Sequence, residues 1–420
     1  MKKITILLVV LLLLVGLSGA FAAVSVYDPA TVERYKAAGE SFQGTSVRVL
    51  SMGGAGLGVR GYYDSWLMNP ANAAKAGFKF SFPAVTVTAY NPVKILESQM
   101  FDKIEDDDPA GAAAEFLKTI TQGYGDILTT DLSMGMSFGS FALSLEAQER
   151  LMSFQKTADS SSLNLIAQVT TAATVGYGFR INLAETMSID LGVSAKAVYK
   201  AYLKAQSAST ITSAVADENF DPAKTFMNET PLMAGYALPL SAGVNVNLPV
   251  GLTVSVVAKN FNGNYTMNTY DSMNDWAEEV LGQRLTEDAD DDASTAAIEP
   301  EWTIEVPWRL DAGLTWAPNI GSLLRPIVAV DVVDVLAMSG KTGEDLTRAF
   351  FEQTRLGASV RLLSLFDFRY GLNKGYQSLG VGFDLLVFHI DAAYYTQEYG
   401  PSIGDKPIDA LSLRFSLFSR

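Results

Sequence analysis

Long stretches of this chain alternate apolar and other side chains with a period of two. From Met187 to Lys204 the sequence reads MSIDLGVSAKAVYKAYLK, in which every second residue from Ile189 to Leu203 is apolar or aromatic. This period is typical of a β-strand with one apolar face. Strands of soluble proteins usually have about five or six residues. The pattern therefore predicts strands of unusual length.

About fourteen segments follow this pattern, an even number, as is typical of bacterial outer-membrane barrels. We predict strands at residues 78–90, 129–139, 140–149, 165–181, 187–203, 233–247, 250–262, 305–317, 325–335, 354–364, 365–373, 378–386, 387–397 and 408–418. Most links after even-numbered strands are short, whereas several links after odd-numbered strands are long and polar, notably Asn91–Leu128, Ala205–Leu232 and Gly263–Ile304. Short turns on one rim and long loops on the other indicate an outer-membrane barrel with both termini on the periplasmic side. The short link Asn373–Gly375 departs from this rule.

The composition fits a sheet that faces lipid. The chain is 48% hydrophobic and 18% charged, yet after residue 22 it has no apolar run long enough for a transmembrane helix. Because backbone polar groups must be paired in hydrocarbon, a sheet there has to close on itself. We therefore predict an all-β fold, a membrane-spanning antiparallel β-barrel. Its lumen is expected to hold the charged residues of the polar phase, which are Lys196, Lys200, Lys259, Arg309, Asp311, Arg355, Arg361, Asp367, Arg369, Asp384 and Arg414.

Residues 1–22 are predicted to be a secretory signal peptide. Lys2 and Lys3 precede the apolar run Ile4–Leu17, and Ala20-Phe21-Ala22 ends the segment. The run is shorter than the roughly 20 residues of a spanning helix, and small residues follow it, as at a cleavage site. A retained anchor is the alternative. The chain contains no cysteine, which excludes disulfides, thiolate metal sites and cysteine nucleophiles.

Residues 23–77 do not alternate and precede the first predicted strand. Within them, Gly56, Gly58 and Gly61 have the G-x-G-x-x-G spacing of a dinucleotide-binding turn. Such a turn needs a following crossover helix and a parallel strand, whereas Pro70 interrupts this segment and the rest of the chain has an antiparallel pattern. A barrel of about fourteen strands leaves an aqueous hole unless it is filled. We therefore predict an N-terminal hatch at 23–77 that plugs the lumen of a barrel at 78–420.

Two short motifs in the hatch carry a resemblance to a known family. Met52-Gly53-Gly54-Ala55-Gly56, followed by Asn69-Pro70-Ala71, resembles the FadL-type outer-membrane transporters of long-chain fatty acids and other hydrophobic compounds. The related PorV-type barrels share both motifs. The resemblance implies that these eight residues belong to a luminal hatch that gates passage, that the extracellular loops capture a hydrophobic ligand, and that the ligand leaves laterally into the membrane.

The resemblance also implies a kink in the third strand that opens the wall. Here Phe141–Arg150 contains neither glycine nor proline, which puts that feature in doubt. Pro239 interrupts a predicted strand instead. Since proline cannot donate to a β-ladder, it marks either a local gap or a bulge.

Two long loops contain apolar side chains at helical spacing. Phe116, Leu117 and Ile120 form one stripe, and Trp276, Val280 and Leu281 form the other. We predict that these six residues bind the hydrophobic ligand. The alternative is that each stripe packs its own loop onto the rim.

The remaining features point away from other functions. Asp106–Asp108 and Glu287–Asp292 make the outer loops acidic, which fits no nucleic-acid partner. Their spacing lacks the glycine and terminal glutamate of an EF-hand loop, so a solvated loop is favoured over a calcium site. His389 is the only histidine, which leaves little for a Ser-His hydrolase or a His-ligated metal. We expect no enzyme activity, no cofactor and no metal, with barrel proteases and phospholipases as the remaining enzyme alternatives.

These features together predict an outer-membrane channel for passive uptake of hydrophobic molecules, by family resemblance long-chain fatty acids. Its partners would be the hydrophobic ligand and the outer-membrane lipid, and we expect a monomer. The main alternative is a PorV-like or structural barrel whose extracellular loops bind protein partners, such as secretion cargo or host molecules. A soluble exported β-protein is the third reading.

Overall fold

The computed structural model describes residues 46–106, 108–120, 124–155, 163–203, 206–207, 227–228, 231–285, 302–321, 323–385, 387–400 and 402–417. The predicted signal peptide (1–22), the first part of the predicted hatch (23–45) and the acidic run Glu287–Asp292 lie outside the described residues.

Fourteen antiparallel strands form one closed sheet. They are β1 (Lys79–Tyr90), β2 (Tyr124–Phe138), β3 (Phe141–Gln155), β4 (Leu163–Ala184), β5 (Met187–Leu203, continued by Gln206–Ser207), β6 (Leu232–Ala237 and Leu240–Asn247), β7 (Leu252–Phe261 and Tyr265–Tyr270), β8 (Trp302–Ile304 and Arg309–Trp316), β9 (Leu324–Val332), β10 (Thr354–Leu362), β11 (Phe366–Asn373), β12 (Tyr376–Leu385), β13 (Phe388–Glu398) and β14 (Pro407–Leu417). Neighbours in the chain pair with each other, and β1 also pairs with β14, which closes the barrel. The predicted fold class is confirmed.

The two phases of the alternation lie on opposite faces of the wall. Val193 and Phe415 are 58% and 44% exposed on the outer surface, whereas Asp190 and Ser412, on the other phase of the same strands, are buried in the lumen. The predicted luminal charges form ion pairs there, for example Lys259–Asp311 (3.2 Å), Arg369–Asp391 (2.5 Å) and Arg361–Asp384 (2.6 Å). The outer face is therefore apolar and faces lipid, as in an outer-membrane barrel.

Short helices occupy the hatch and the long loops. They are α1 (Val47–Ser51), α2 (Ser65–Met68), α3 (Pro92–Glu97), α4 (Met100–Glu105), α5 (Pro109–Lys118), α6 (Met273–Leu281) and α7 (Gly343–Gln353). A 3-10 helix at Pro70–Ala73 follows α2. No helix in the described ranges has the length and apolarity needed to cross a membrane.

One link and the start of one strand depart from the sequence pattern. Lys374 and Gly375 have φ values of 52° and 83°, so they form a tight hairpin turn with two left-handed residues between β11 and β12. This turn explains the short link on the long-loop rim. The predicted strand 305–317 is wrong at its start, because β8 is interrupted between Ile304 and Arg309. Pro307 lies in this interruption and cannot donate to the ladder.

The barrel is taller on one side. Strands β2 to β5 have 15 to 22 residues, whereas β9 to β13 have 8 to 11. The helices α4 and α5 pack on the upper part of the tall side, against Ile127, Leu151 and Leu165. Leu151 shares its phase with the exposed Leu143 and Leu145, so these helices cover the outer face of the wall and not the lumen.

Candidate functional site

The hatch lies inside the barrel in backbone contact with the wall. A Cβ atom on Gly192 of β5 would lie 2.2 Å from the carbonyl carbon of Pro70, and one on Gly371 of β11 would lie 2.1 Å from the backbone nitrogen of Gly53. Seven glycines of the wall have such close hatch neighbours: Gly176, Gly178, Gly192, Gly243, Gly357, Gly371 and Gly380. Any larger residue at these positions would push the hatch away from the wall.

The glycine motif of the hatch binds a carboxylate. The backbone N–H groups of Gly56 and Leu57 both donate to Oδ2 of Asp331 on β9, at 2.5 and 2.9 Å. Gly53 and Gly54 have φ values of 66° and 84°, a left-handed conformation that favours glycine. Successive amides in such a turn make an anion-binding concavity. The motif thus resembles a phosphate-binding turn because it holds an anion, and that anion is a side chain of the wall.

The Asn-Pro-Ala motif anchors the opposite side of the hatch. Asn69 Oδ1 accepts a hydrogen bond from Ala71 N at 2.9 Å and caps the 3-10 helix. The side-chain amides of Asn69 and Asn72 each hydrogen-bond the amide of Asn245 on β6, at 2.8 and 2.9 Å. Asn72 also donates to the carbonyl oxygen of Leu57 at 3.0 Å. Asn72 was not predicted as a site residue, although it directly follows the motif.

The structure therefore brings all eight predicted hatch residues into contact with the wall, on two opposite sides of the hatch. Met52 and Gly53 lie against β10 and β11, and Asn69 and Pro70 lie against β5 and β6. Their gating role remains a prediction.

A luminal cavity of about 800 Å³ lies between the hatch and the long-loop rim. Its apolar floor is formed by the hatch residues Val49, Leu50, Leu57, Leu67 and Met68. Its wall is polar and charged. Arg355 of β10 lines it and donates to the backbone oxygens of Glu352 (2.7 Å) and Thr354 (3.1 Å). Within the described ranges, Arg355 forms no ion pair with a carboxylate, in contrast to Lys259 and Arg309, which both pair with Asp311.

The wall of the barrel is interrupted beside this cavity. Strands β6 and β7 are paired at Leu240–Phe261 below the interruption and at Tyr236–Thr266 above it. Strands β7 and β8 are paired at Lys259–Arg309 and again at Tyr265–Ile304. The intervening segments are Leu238–Pro239, Asn262–Asn264 and Glu305–Trp308, so three adjacent strands break at one height.

Local sequence explains the interruption. Pro239 and Pro307 lack the N–H that a ladder needs. Asn260 and Asn262 have φ values of 65° and 56°, which turns the backbone of β7 away from strand geometry. At Pro239 the pairing is therefore interrupted on the β7 side only, since Lys196 N of β5 donates to Pro239 O at 3.0 Å and the β5–β6 register is the same above and below.

The cavity and the lipid-facing surface meet at this interruption. Asn260, Val306, Pro307 and Trp308 line the cavity. Trp308 is also 49% exposed, and its ring stacks on that of Phe261 with centroids 5.5 Å apart. At this height the backbone ladder is broken, so mainly side chains separate an apolar molecule in the cavity from the outer surface.

The six predicted ligand-binding residues do not meet in one groove. Phe116 and Leu117 of α5 are buried against the outer face of β2 to β4, and Ile120 packs beside them. Trp276 of α6 packs against outward residues of other strands, and its Nε1–H donates to the Tyr199 hydroxyl at 2.6 Å. Val280 and Leu281 are about half exposed. The contacts of Phe116, Leu117 and Trp276 are those of the packing alternative, and a ligand role for all six remains a prediction.

Comparisons with known proteins give structural neighbours only. No protein-family model matches the chain, and no curated protein is similar to it in sequence. The toluene transporter TbuX of Ralstonia pickettii is 10% identical, with 90% of this chain and 98% of that chain covered and a TM-score of 0.46. The translocator domain of the autotransporter NalP from Neisseria meningitidis is 12% identical, with 82% and 88% covered and a TM-score of 0.33. A FadL homologue of Pseudomonas aeruginosa is also among the similar structures, at 13% identity, with 89% and 97% covered and a TM-score of 0.40.

Proposed function

We propose that the protein is an outer-membrane channel for passive uptake of hydrophobic molecules. One observation carries the proposal: the luminal cavity above the hatch reaches the wall interruption at Asn260, Val306, Pro307 and Trp308. The hatch closes the direct route through the barrel, since its backbone and side chains lie close to glycines in six strands of the wall. A hydrophobic molecule in the cavity then has a shorter apolar path sideways, past Val306 and Trp308, into the membrane.

One part of the cavity lining, the apolar floor together with Arg355, suits an amphiphile with an acidic head group. The apolar floor offers Leu50, Leu57 and Met68 to a hydrocarbon chain. Arg355 offers a guanidinium group whose hydrogen bonds go to backbone carbonyls and not to a carboxylate side chain. A guanidinium group binds a carboxylate in a bidentate, charge-assisted way. Long-chain fatty acids have both chemical features, and we propose them as the ligand class.

Cross-linking tests the lateral route. The chain contains no cysteine, so a disulfide between Leu240→Cys and Phe261→Cys, which are direct partners on β6 and β7, would close the lower edge of the interruption. The matched control joins Met136→Cys and Leu143→Cys, which are direct partners on β2 and β3. Facing residues on neighbouring strands have the short Cβ separation that a disulfide needs.

The readout is uptake of a fluorescent fatty acid into liposomes that carry the full chain. We expect the oxidised L240C/F261C protein to take up the fatty acid several-fold more slowly, and a reducing agent to restore the rate. The oxidised control pair should behave like the unmodified protein. Uptake at the same rate with and without the β6–β7 disulfide would contradict a lateral exit at this place.

A second candidate is a barrel whose loops bind a protein partner. The loop helix α7 favours it, because Leu346, Phe350 and Phe351 are 39%, 45% and 62% exposed. Such a barrel would retain its fold and partner binding when Arg355 is replaced, and it would not bind fatty acid saturably. A titration of the full chain in detergent with a fluorescent fatty acid therefore separates the two candidates.

A further inference from the structure

The hatch is only one layer of side chains thick at one place. A second, smaller cavity of about 40 Å³ lies on the far side of the hatch from the large cavity. It is lined by Arg361, Arg369, Asp384, His389, Asp391 and Arg414, among others. Asp384 N donates to Leu365 O at 2.8 Å, next to a short turn, which places this cavity toward the short-turn, periplasmic rim. Ser46, Tyr63 and Asp64 line both cavities.

These three residues are held by polar contacts between side chains. Ser46 Oγ donates to Asp64 Oδ2 at 2.5 Å, and Arg48 Nη2 donates to Asp64 Oδ1 at 2.9 Å. Arg414 Nη2 of β14 donates to the Tyr63 hydroxyl at 2.8 Å, and its guanidinium group lies 4.9 Å from the centre of the Tyr63 ring. The layer therefore depends on hydrogen bonds that water could replace one at a time.

The backbone beside these residues has free space at Gly61, unlike the backbone of the glycine motif. Gly61 has a φ of 94°, is exposed, and would have no atom within 4 Å of an added Cβ. At Gly53, by contrast, an added Cβ would lie 2.6 Å from the backbone of Leu372. The backbone therefore has room to hinge at Gly61 while the glycine and Asn-Pro-Ala motifs stay bound to the wall.

We propose that Ser46, Tyr63 and Asp64 form a polar gate for water and small ions, separate from any lateral route for hydrophobic ligands. When Tyr63 and Asp64 swing away, the two cavities join into one water-filled path from the large cavity toward the periplasmic rim. The charges around the small cavity are balanced, because Arg48, Arg361, Arg369 and Arg414 are paired with Asp64, Asp367, Asp384 and Asp391. The large cavity, by contrast, is lined by nine carboxylate and five basic side chains. The joined path is therefore expected to favour small cations over small anions.

The protonation states fit a closed gate at neutral pH. Burial raises the pKa of Tyr63 to about 12, so its hydroxyl keeps the proton. Burial also acts to raise the pKa of Asp64, but the Arg48 guanidinium and the hydrogen bond from Ser46 outweigh it and lower that pKa. Asp64 is then a carboxylate that holds Ser46 and Arg48 in place.

Conductance of the full chain in planar bilayers tests this proposal. We expect Tyr63→Ala to raise the single-channel conductance in potassium chloride several-fold, with potassium favoured over chloride. Leu67→Ala is the matched control, because Leu67 is a hatch residue that lines only the large cavity, and its conductance should equal that of the unmodified protein. Unchanged conductance in Tyr63→Ala, or an equal rise in Leu67→Ala, would overturn the proposal.

A second measurement tests the proposal even if the Tyr63→Ala variant folds poorly. Ser46→Cys provides a single thiol in a chain without cysteine. In the otherwise unmodified chain, a charged, membrane-impermeant thiol reagent should label this cysteine when added from either side of the bilayer, because Ser46 lines both cavities. Labelling from one side only would show that Ser46 does not lie between the two cavities. This test does not involve a hydrophobic ligand, so its failure would leave the proposed uptake function untouched.

Discussion

Replacing Gly192 by alanine should loosen the hatch. The added Cβ would lie 2.2 Å from the carbonyl carbon of Pro70 and 2.3 Å from the backbone nitrogen of Ala71. Carbon atoms in contact prefer about 3.5 Å, so the hatch would have to retreat by roughly 1.3 Å at its Asn-Pro-Ala anchor. Overpacking of this kind costs about 1–3 kcal/mol. The equilibrium between bound and released hatch would then shift by roughly 5- to 150-fold.

Thiol labelling measures this shift. Ala73 is fully buried beside the wall, so Ala73→Cys should react slowly with an impermeant thiol reagent. In the Gly192→Ala background its labelling rate should rise in proportion to the released population. Gly139→Ala is the control: it strains a periplasmic turn with φ of 61° by about 1 kcal/mol, but the new methyl group meets no atom within 4 Å. An unchanged labelling rate in Gly192→Ala would show that the close contact does not hold the hatch.

Three further predictions concern charges in the lumen. Asp331→Ala removes the acceptor of two hatch amides. Because hydrogen bonds to a charged group contribute about 1.5–3 kcal/mol, protease cleavage within the hatch should accelerate at least tenfold. The barrel should keep its heat-modifiable migration in electrophoresis. Arg355→Gln should weaken binding of a fluorescent fatty acid about tenfold and leave binding of the matching fatty alcohol unchanged, in a fluorescence titration that includes both ligands. Because the pKa of Asp64 lies below its ordinary value of 3.8, the stabilisation it provides is present above that value and lost as the pH falls further. A rise in conductance that depends on Asp64 should therefore appear only below about pH 4, and a rise near neutral pH that is absent from Asp64→Asn would contradict the assignment of Asp64.

The strands were predictable because one face of each meets lipid and the other meets water. In β5 the alternation runs without a break from Ile189 to Leu203, and the observed strand has the predicted bounds. In β8 the same rule failed, because Val306 and Trp308 continue the alternation while Pro307 breaks the ladder. The pattern reports the direction of side chains and says nothing of backbone pairing.

The partners of buried surfaces were harder to predict. The stripe of Phe116 and Leu117 indicates that one face of α5 is covered, but the same stripe fits a ligand groove or the outer face of the wall. The choice depends on the tall strands β2 to β4, whose upper outward residues Leu151 and Leu165 need a cover. The sequence did contain a signal for where the hatch packs. Gly192, Gly243 and Gly371 fall on the luminal phase of their strands. Glycine at such positions indicates close approach of another backbone.

The seven wall glycines that accommodate the hatch also affect how the cylinder is assembled. A glycine within a strand destabilises it by about 0.5–1 kcal/mol relative to alanine, and these glycines lie in six of the strands. An empty cylinder of this sequence is therefore expected to be soft in two groups of adjacent strands, β4 to β6 and β10 to β12. Because the hatch packs against both groups, we expect these strands to become rigid only when the hatch is bound between them.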